Sequence, residues 1–182
     1  GKHIEKRCLV FLICKNNFES VVGYLGLMNA EAVTILISDS NYNFFFANLL
    51  KKYKPEYILL PSKTPQSNLN FRPVYSYGSY TLFKTDYCID YTLHDELALL
   101  LTTSGSTGSP KFVRQSYKNI NSNTESIAQY LGIQSADRSI TTMPMSYSYG
   151  LSIINSHLLK GASIILTDST LMDRNFWEEF RN

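Results

Sequence analysis

Ser104-Gly105-Ser106-Thr107-Gly108-Ser109-Pro110-Lys111 gathers hydroxyls, glycines and one cation directly after the apolar run Leu97 to Thr103. Glycine lets backbone N–H groups converge on an anion with no Cβ in the way. The hydroxyls of Ser104, Ser106 and Thr107 add donors, and Lys111 adds a full positive charge. An apolar strand that delivers such a loop suits a polyphosphate. A Walker loop is excluded, because it needs Gly immediately before the Lys and Ser or Thr immediately after. Pro110 and Phe112 hold those places here, and the kinase pattern G-x-G-x-x-G is absent. A Gly/Ser-rich surface loop is the plain alternative. The buried strand ahead of the segment and the Lys behind it favour phosphate.

The longer stretch Asp95-Glu96-Leu97-Ala98-Leu99-Leu100-Leu101-Thr102-Thr103 followed by Ser104 to Lys111 resembles the phosphate-binding signature of the adenylate-forming (AMP-binding) superfamily. That group includes acyl- and aryl-CoA synthetases, luciferases and the adenylation domains of peptide synthetases. The usual signature continues with Gly, where this chain has Phe112. Downstream, Met143-Pro144-Met145-Ser146-Tyr147-Ser148-Tyr149-Gly150-Leu151 resembles the motif at the entrance to the acyl pocket, written around P-x-x-H-x-x-G. Tyr147 takes the place of its His or other aromatic residue. Val21 to Ile37 resembles the family's first β-α-β unit, and Leu158 to Leu166 its helix-to-strand step.

The resemblance implies that Thr103, Ser104, Gly105, Ser106, Thr107, Gly108 and Lys111 bind the nucleotide phosphates. Tyr147, Ser148 and Gly150 would belong to the acyl pocket or its gate. It further implies activation of a carboxylic acid with ATP and Mg²⁺, giving an acyl-adenylate and pyrophosphate. The acyl group would then pass to coenzyme A or to the phosphopantetheine of a carrier protein. In the amino-acid-activating branch the residue after the gate aromatic is typically Asp. Ser148 stands there, which favours a simple carboxylic acid over an α-amino acid.

The family's adenine, ribose and Mg²⁺ motifs, and the C-terminal domain with its catalytic Lys, would all come after Asn182. The expectation is therefore a single α/β domain over residues 1–182, the truncated N-terminal part of an AMP-binding domain. It would be inactive alone, with no catalytic residue or metal ligand of its own. A face left uncovered at Phe176, Trp177 and Phe180 would favour a homodimer. A stand-alone nucleotide-binding module without catalysis and a purely structural α/β domain are the competing readings.

The elements that must position these residues follow from hydrophobic period. Cys8 to Cys14, Ala32 to Ile37 and Tyr57 to Leu60 are continuous apolar runs, as expected of strands buried on both faces. Between them, Asn17 to Asn29 and Phe44 to Tyr53 carry helical spacing, and Pro55 ends the second. This β-α-β-α-β rhythm predicts a mostly parallel sheet flanked by helices. Pro61 to Pro73 reads as a loop, and Val74 to Phe83 as a hairpin turning at Gly78. Ser116 to Leu131 reads as a helix stopped by Gly132. Ser139 to Met143 and Ala162 to Leu166 read as strands flanking a helix over Leu151 to Leu159, and a helix edge follows at Phe176 to Phe180.

Composition narrows the classes of partner. Of 182 residues, 44% are hydrophobic and 18% charged, a balance that excludes intrinsic disorder. A net charge of +2 gives no electrostatic case for nucleic acid or an anionic membrane. The apolar run Leu9 to Ile13 is too short for a membrane span. Cys8, Cys14 and Cys88 form no C-x-x-C pair, and an odd count suits a reducing, cytoplasmic setting. His3, His94 and His157 lack metal-ligand spacing.

Overall fold

The computed structural model describes residues 3–64, 71–89, 91–102 and 111–181, with backbone alone at 41–45. The elements run β1 (Leu9–Cys14), α1 (Phe18–Asn29), β2 (Val33–Ser38), α2 (Tyr42–Tyr53), β3 (Tyr57–Pro61), β4 (Arg72–Tyr77) and β5 (Tyr80–Lys84). They continue as β6 (Leu97–Thr102), β7 (Phe112–Ser116), α3 (Tyr117–Tyr130), β8 (Arg138–Ile140), α4 (Ser148–Leu159), β9 (Ser163–Ile165) and α5 (Arg174–Arg181). Seven strands form one sheet in the order β4-β5-β3-β1-β2-β6-β7. Its centre, β3-β1-β2-β6, is parallel. The β4–β5 hairpin closes one edge and β7 the other, each pairing antiparallel.

The all-apolar sequence of β1 follows from its place at the middle of this sheet. Alternate side chains point to opposite faces. Val10, Leu12 and Cys14 enter a core with Val21, Tyr24 and Leu27 of α1 and Leu151 and Ile154 of α4. Leu9, Phe11 and Ile13 enter a second core with Phe46, Leu49 and Leu50 of α2. Both faces are therefore covered by helices. Burial pushes the Cys8 thiol up to about 12 and raises Cys14 as well, so both remain thiols at neutral pH.

Local signals set the helix and turn boundaries. Asn17 caps α1, its side chain accepting from the Ser20 N–H at 2.9 Å. The hairpin turns at Gly78 with φ +49°, a backbone that favours glycine. That turn docks on α1: the Tyr77 hydroxyl donates to the Glu19 carbonyl at 2.7 Å, and the Ser79 hydroxyl to its carboxylate at 3.0 Å.

Several expectations are corrected. Residues 112–116 form strand β7, where the sequence pattern runs straight from loop to helix. Strand β8 stops at Ile140: the Thr141 N–H still donates to the Ile165 carbonyl at 3.0 Å, but further on the Met143 carbonyl accepts from Asn16 and not from a strand partner. β8 and β9 pair in parallel as a separate two-stranded sheet. Phe176 does not face water. It is 2% exposed with Trp177 packed edge-on at 5.3 Å, which leaves Trp177 and Phe180 as the exposed rings of α5. No helix among the described residues is long and apolar enough to cross a membrane.

Candidate functional site

In open sheets of this kind, ligands bind beyond the carboxyl ends of the parallel strands. Strand β6 ends there at Thr102, and the chain returns along β7, with Thr102 opposite Phe112. Both ends of the intervening loop are thus held side by side by the ladder. Of the sequence-derived phosphate ligands, Thr103, Ser104, Gly105, Ser106, Thr107 and Gly108 lie outside the described residues. Lys111 is described, exposed, and stands immediately before β7.

The helix after the loop is not aimed at it. Because β7 intervenes, α3 begins where Ser116 pairs with Leu97, at the far end of β6. Its first N–H groups are closed by a capping box: Ser116 Oγ accepts from the Asn119 N–H at 3.1 Å, and Asn119 Oδ1 accepts from the Ser116 N–H at 3.1 Å. The first turn of α3 therefore offers no donors at the carboxyl edge of the sheet.

The second motif is built into the same edge. Met145 is fully buried in the core shared by α1 and α4. Tyr147 caps α4 with its backbone in the extended region and is 36% exposed. Ser148 lines a cleft of about 200 Å³ together with Leu99 and Leu101 of β6, Asn119 and Ile120 of α3, and Leu151. That brings Ser148 next to the strand that delivers the loop. Tyr147 and Gly150 are not among the residues lining this cleft.

Gly150 has a steric role. It is buried in the first turn of α4, and a Cβ there would collide with the Pro144 carbonyl oxygen and stand 2.6 Å from that of Met143. Backbone cannot swing aside as a side-chain tip can. Gly150→Ala should therefore cost about 1–3 kcal/mol as an overpacked site. At this chain length each kcal/mol lowers Tm by about 2–4 °C, which a thermal melt reads directly.

One site residue had no signal in the sequence pattern. Asn16 follows β1, and its amide donates to the carbonyls of Met143 at 3.4 Å and Thr167 at 3.3 Å. Its Oδ1 accepts from the Met145 N–H at 3.2 Å. One side chain thereby ties the carboxyl end of the central strand to the segment that precedes α4. Among the described residues, no group of three or more His, Cys, Asp or Glu side chains is placed to hold a metal ion.

A model of the AMP-binding enzyme family matches residues 2–182, almost the whole chain. The chain belongs to the AMP-binding enzyme family. It is 36% identical over 76 residues to the 2-succinylbenzoate–CoA ligase of Bacillus velezensis, an alignment covering 42% of this chain and 16% of that relative. With the oxalate–CoA ligase of Saccharomyces cerevisiae it is 33% identical over 86 residues, covering 47% of this chain and 16% of the relative. Among solved structures it resembles the o-succinylbenzoate CoA synthetase MenE of Bacillus subtilis in complex with the acyl-adenylate intermediate OSB-AMP. That match has a TM-score of 0.75 at 19% identity, covering 98% of this chain and 48% of the other. VinN in complex with L-aspartate matches with a TM-score of 0.71 at 20% identity, covering 98% and 52%. At those identities the likeness is one of fold. The chain spans about half the length of these solved relatives.

Proposed function

We propose that the protein carrying this chain activates a carboxylic acid with ATP and passes the acyl group to a thiol. The carboxylate oxygen attacks the α-phosphorus, the bond to pyrophosphate breaks, and an acyl-adenylate forms. The sulfur of coenzyme A or of a carrier-bound phosphopantetheine then attacks the acyl carbon, losing its proton as AMP leaves. The observation that carries this reading is the β6–β7 pair, which holds a loop of hydroxyls, glycines and one Lys at the carboxyl edge of a parallel sheet. The family match over residues 2–182 supports it.

In this reading Thr103 to Gly108 and Lys111 cradle the phosphates, and their donors face the charge that develops on the departing pyrophosphate. Ser148 belongs to the acyl side, with Tyr147 at the mouth and Gly150 fixing the turn that presents them. A hydroxyl at Ser148 cannot offset a buried ammonium as a carboxylate would, so the substrate is an acid without an α-amino group. Free cysteines at positions 8, 14 and 88 suit a cytoplasmic protein. The exposed rings of Trp177 and Phe180 are the face proposed for a homodimer, which light scattering over a concentration series checks.

Pyrophosphate exchange tests the activity. The full-length protein, given ATP, Mg²⁺ and a panel of fatty, aryl, dicarboxylic and amino acids, should exchange best with one of the non-amino acids. Residues 1–182 alone, about half of the solved relatives' fold, should give no exchange above a heat-killed control. Amino acids at the head of the panel would overturn the substrate class, and no exchange by the full-length protein with any acid would overturn the activity.

A further inference from the structure

Lys52 at the end of α2 belongs to no motif and is far in sequence from Arg114 in β7 and Lys118 in the first turn of α3, which flank the β7–α3 junction. The fold brings them around one cavity of about 950 Å³, whose walls also include Leu9, Leu97 and Leu100. This cavity is not the site described above. It lies where β6 begins, with Leu97 opposite Ser116, whereas the loop leaves from Thr102 at the other end of the strand. Six residues of extended chain put roughly 20 Å between the two ends.

Two features distinguish it from an ordinary solvated charge cluster. First, the charge is unbalanced. Glu96 is the one carboxylate among its described lining residues, and no described carboxylate forms an ion pair with Lys52, Arg114 or Lys118. The Lys52 ammonium rests instead over the Tyr53 ring at 5.2 Å. The positive end of α3, 14 residues long, adds to the same field. Second, the cations surround an apolar floor: Leu9 and Leu100 are buried, and Tyr53 and Tyr91 stand on the wall. The Tyr91 hydroxyl donates to the Tyr53 carbonyl at 2.8 Å, which fixes that wall to the end of α2. The rest of the wall is polar, with Thr92, His94, Ser116, Asn119 and Ser122, so the cavity sets an apolar patch within a largely polar, net positive surround of a size that holds small molecules.

We propose that this cavity binds a small amphipathic anion, a carboxylate or phosphate head on an apolar body, at a site separate from the adenylation loop. The head lies between Arg114 and Lys118, and the body lies over Leu97, Leu100 and the two tyrosines. Nothing in this inference depends on the activity proposed above, because its test reads binding alone.

Isothermal titration of the full-length protein with decanoate, decyl phosphate, 1-decanol and inorganic phosphate decides it. Decanoate or decyl phosphate should bind saturably, and the tighter of the two identifies the head. Decanol and inorganic phosphate should each bind at least about tenfold more weakly, since each lacks one half of the recognition. The double variant Arg114→Glu/Lys118→Glu changes two exposed side chains and should weaken the tighter ligand about tenfold or more. Arg114→Gln, which keeps bulk and drops the charge, serves as the second variant should the double one fail to fold, and should weaken it several-fold. An unchanged affinity in the folded variants would place the ligand elsewhere and overturn the proposal. So would decanol binding as tightly as decanoate, or the absence of saturable binding up to millimolar ligand.

Discussion

Replacing Lys111 with alanine in the full-length protein should lower kcat/KM for ATP by about 2–4 kcal/mol, between one and three powers of ten, with little change in folding stability. The residue is exposed immediately before β7, so truncation removes almost no core packing. Exposed substitutions of this kind usually move stability by no more than about 0.5 kcal/mol. On the proposed function, the substitution removes a full charge beside the phosphates. A pair of unit charges about 4 Å apart at a protein surface interacts by about 4 kcal/mol at an effective dielectric constant near 20, which sets the upper end. Pyrophosphate carries more charge as it departs than it did within ATP. The loss should accordingly fall on kcat as well as on KM. Lys111→Arg keeps the charge and should recover most of the rate. Initial rates across an ATP series check both variants, and an Ala variant with unchanged kinetics would mean that the loop does not hold the phosphates.

Much of this site's framework was legible because its strands are buried on both faces. CLVFLIC and AVTILI read as strands since a central parallel strand leaves no polar alternation to confuse the period. Gly78 marked the hairpin because a tight turn demands its backbone. Strand β7, Phe-Val-Arg-Gln-Ser, escaped for the opposite reason. It is a half-exposed edge strand, held mainly by its ladder with β6, and pairing of that sort leaves little mark on composition. Phe176 was misplaced because three aromatics within five residues look alike in sequence, while the helix turns one inward and leaves two outside. Chemistry followed the same division. Hydroxyls, glycines and a Lys contiguous in one loop can be read directly. A cavity lined by Lys52, Arg114 and Lys118 cannot, because only the fold brings Lys52 to the other two.

Asn16 shows the same limit most sharply, and its substitution is the second large effect expected. Its partners lie 127 and 151 residues further along the chain, so no local pattern could have marked it. Asn16→Ala removes two donated hydrogen bonds and one accepted bond at once, leaving the Met143 and Thr167 carbonyls and the Met145 N–H without this partner. These bonds are exposed or part-buried and each contributes about 0.5–1.5 kcal/mol, so a loss of about 1–3 kcal/mol is expected for the site. In a chain of this size that lowers Tm by roughly 2–12 °C.

Asn16→Asp separates hydrogen bonding from mere packing. It keeps the acceptor for Met145 but turns the donor into an oxygen facing two carbonyls. The charged form is disfavoured there, which raises the folded-state pKa of the new carboxyl above its unfolded value. Protonation restores one donor. The variant should therefore be relatively more stable in acid and lose that advantage as pH rises through the folded-state pKa. Thermal melts of wild type, Asn16→Ala and Asn16→Asp between pH 4 and 8 would reveal it, with the Asp variant approaching wild type at the acid end and the Ala variant staying low throughout. Parallel curves for all three would mean that Asn16 serves as packing, and that the segment before α4 is held by Met145 in the core instead.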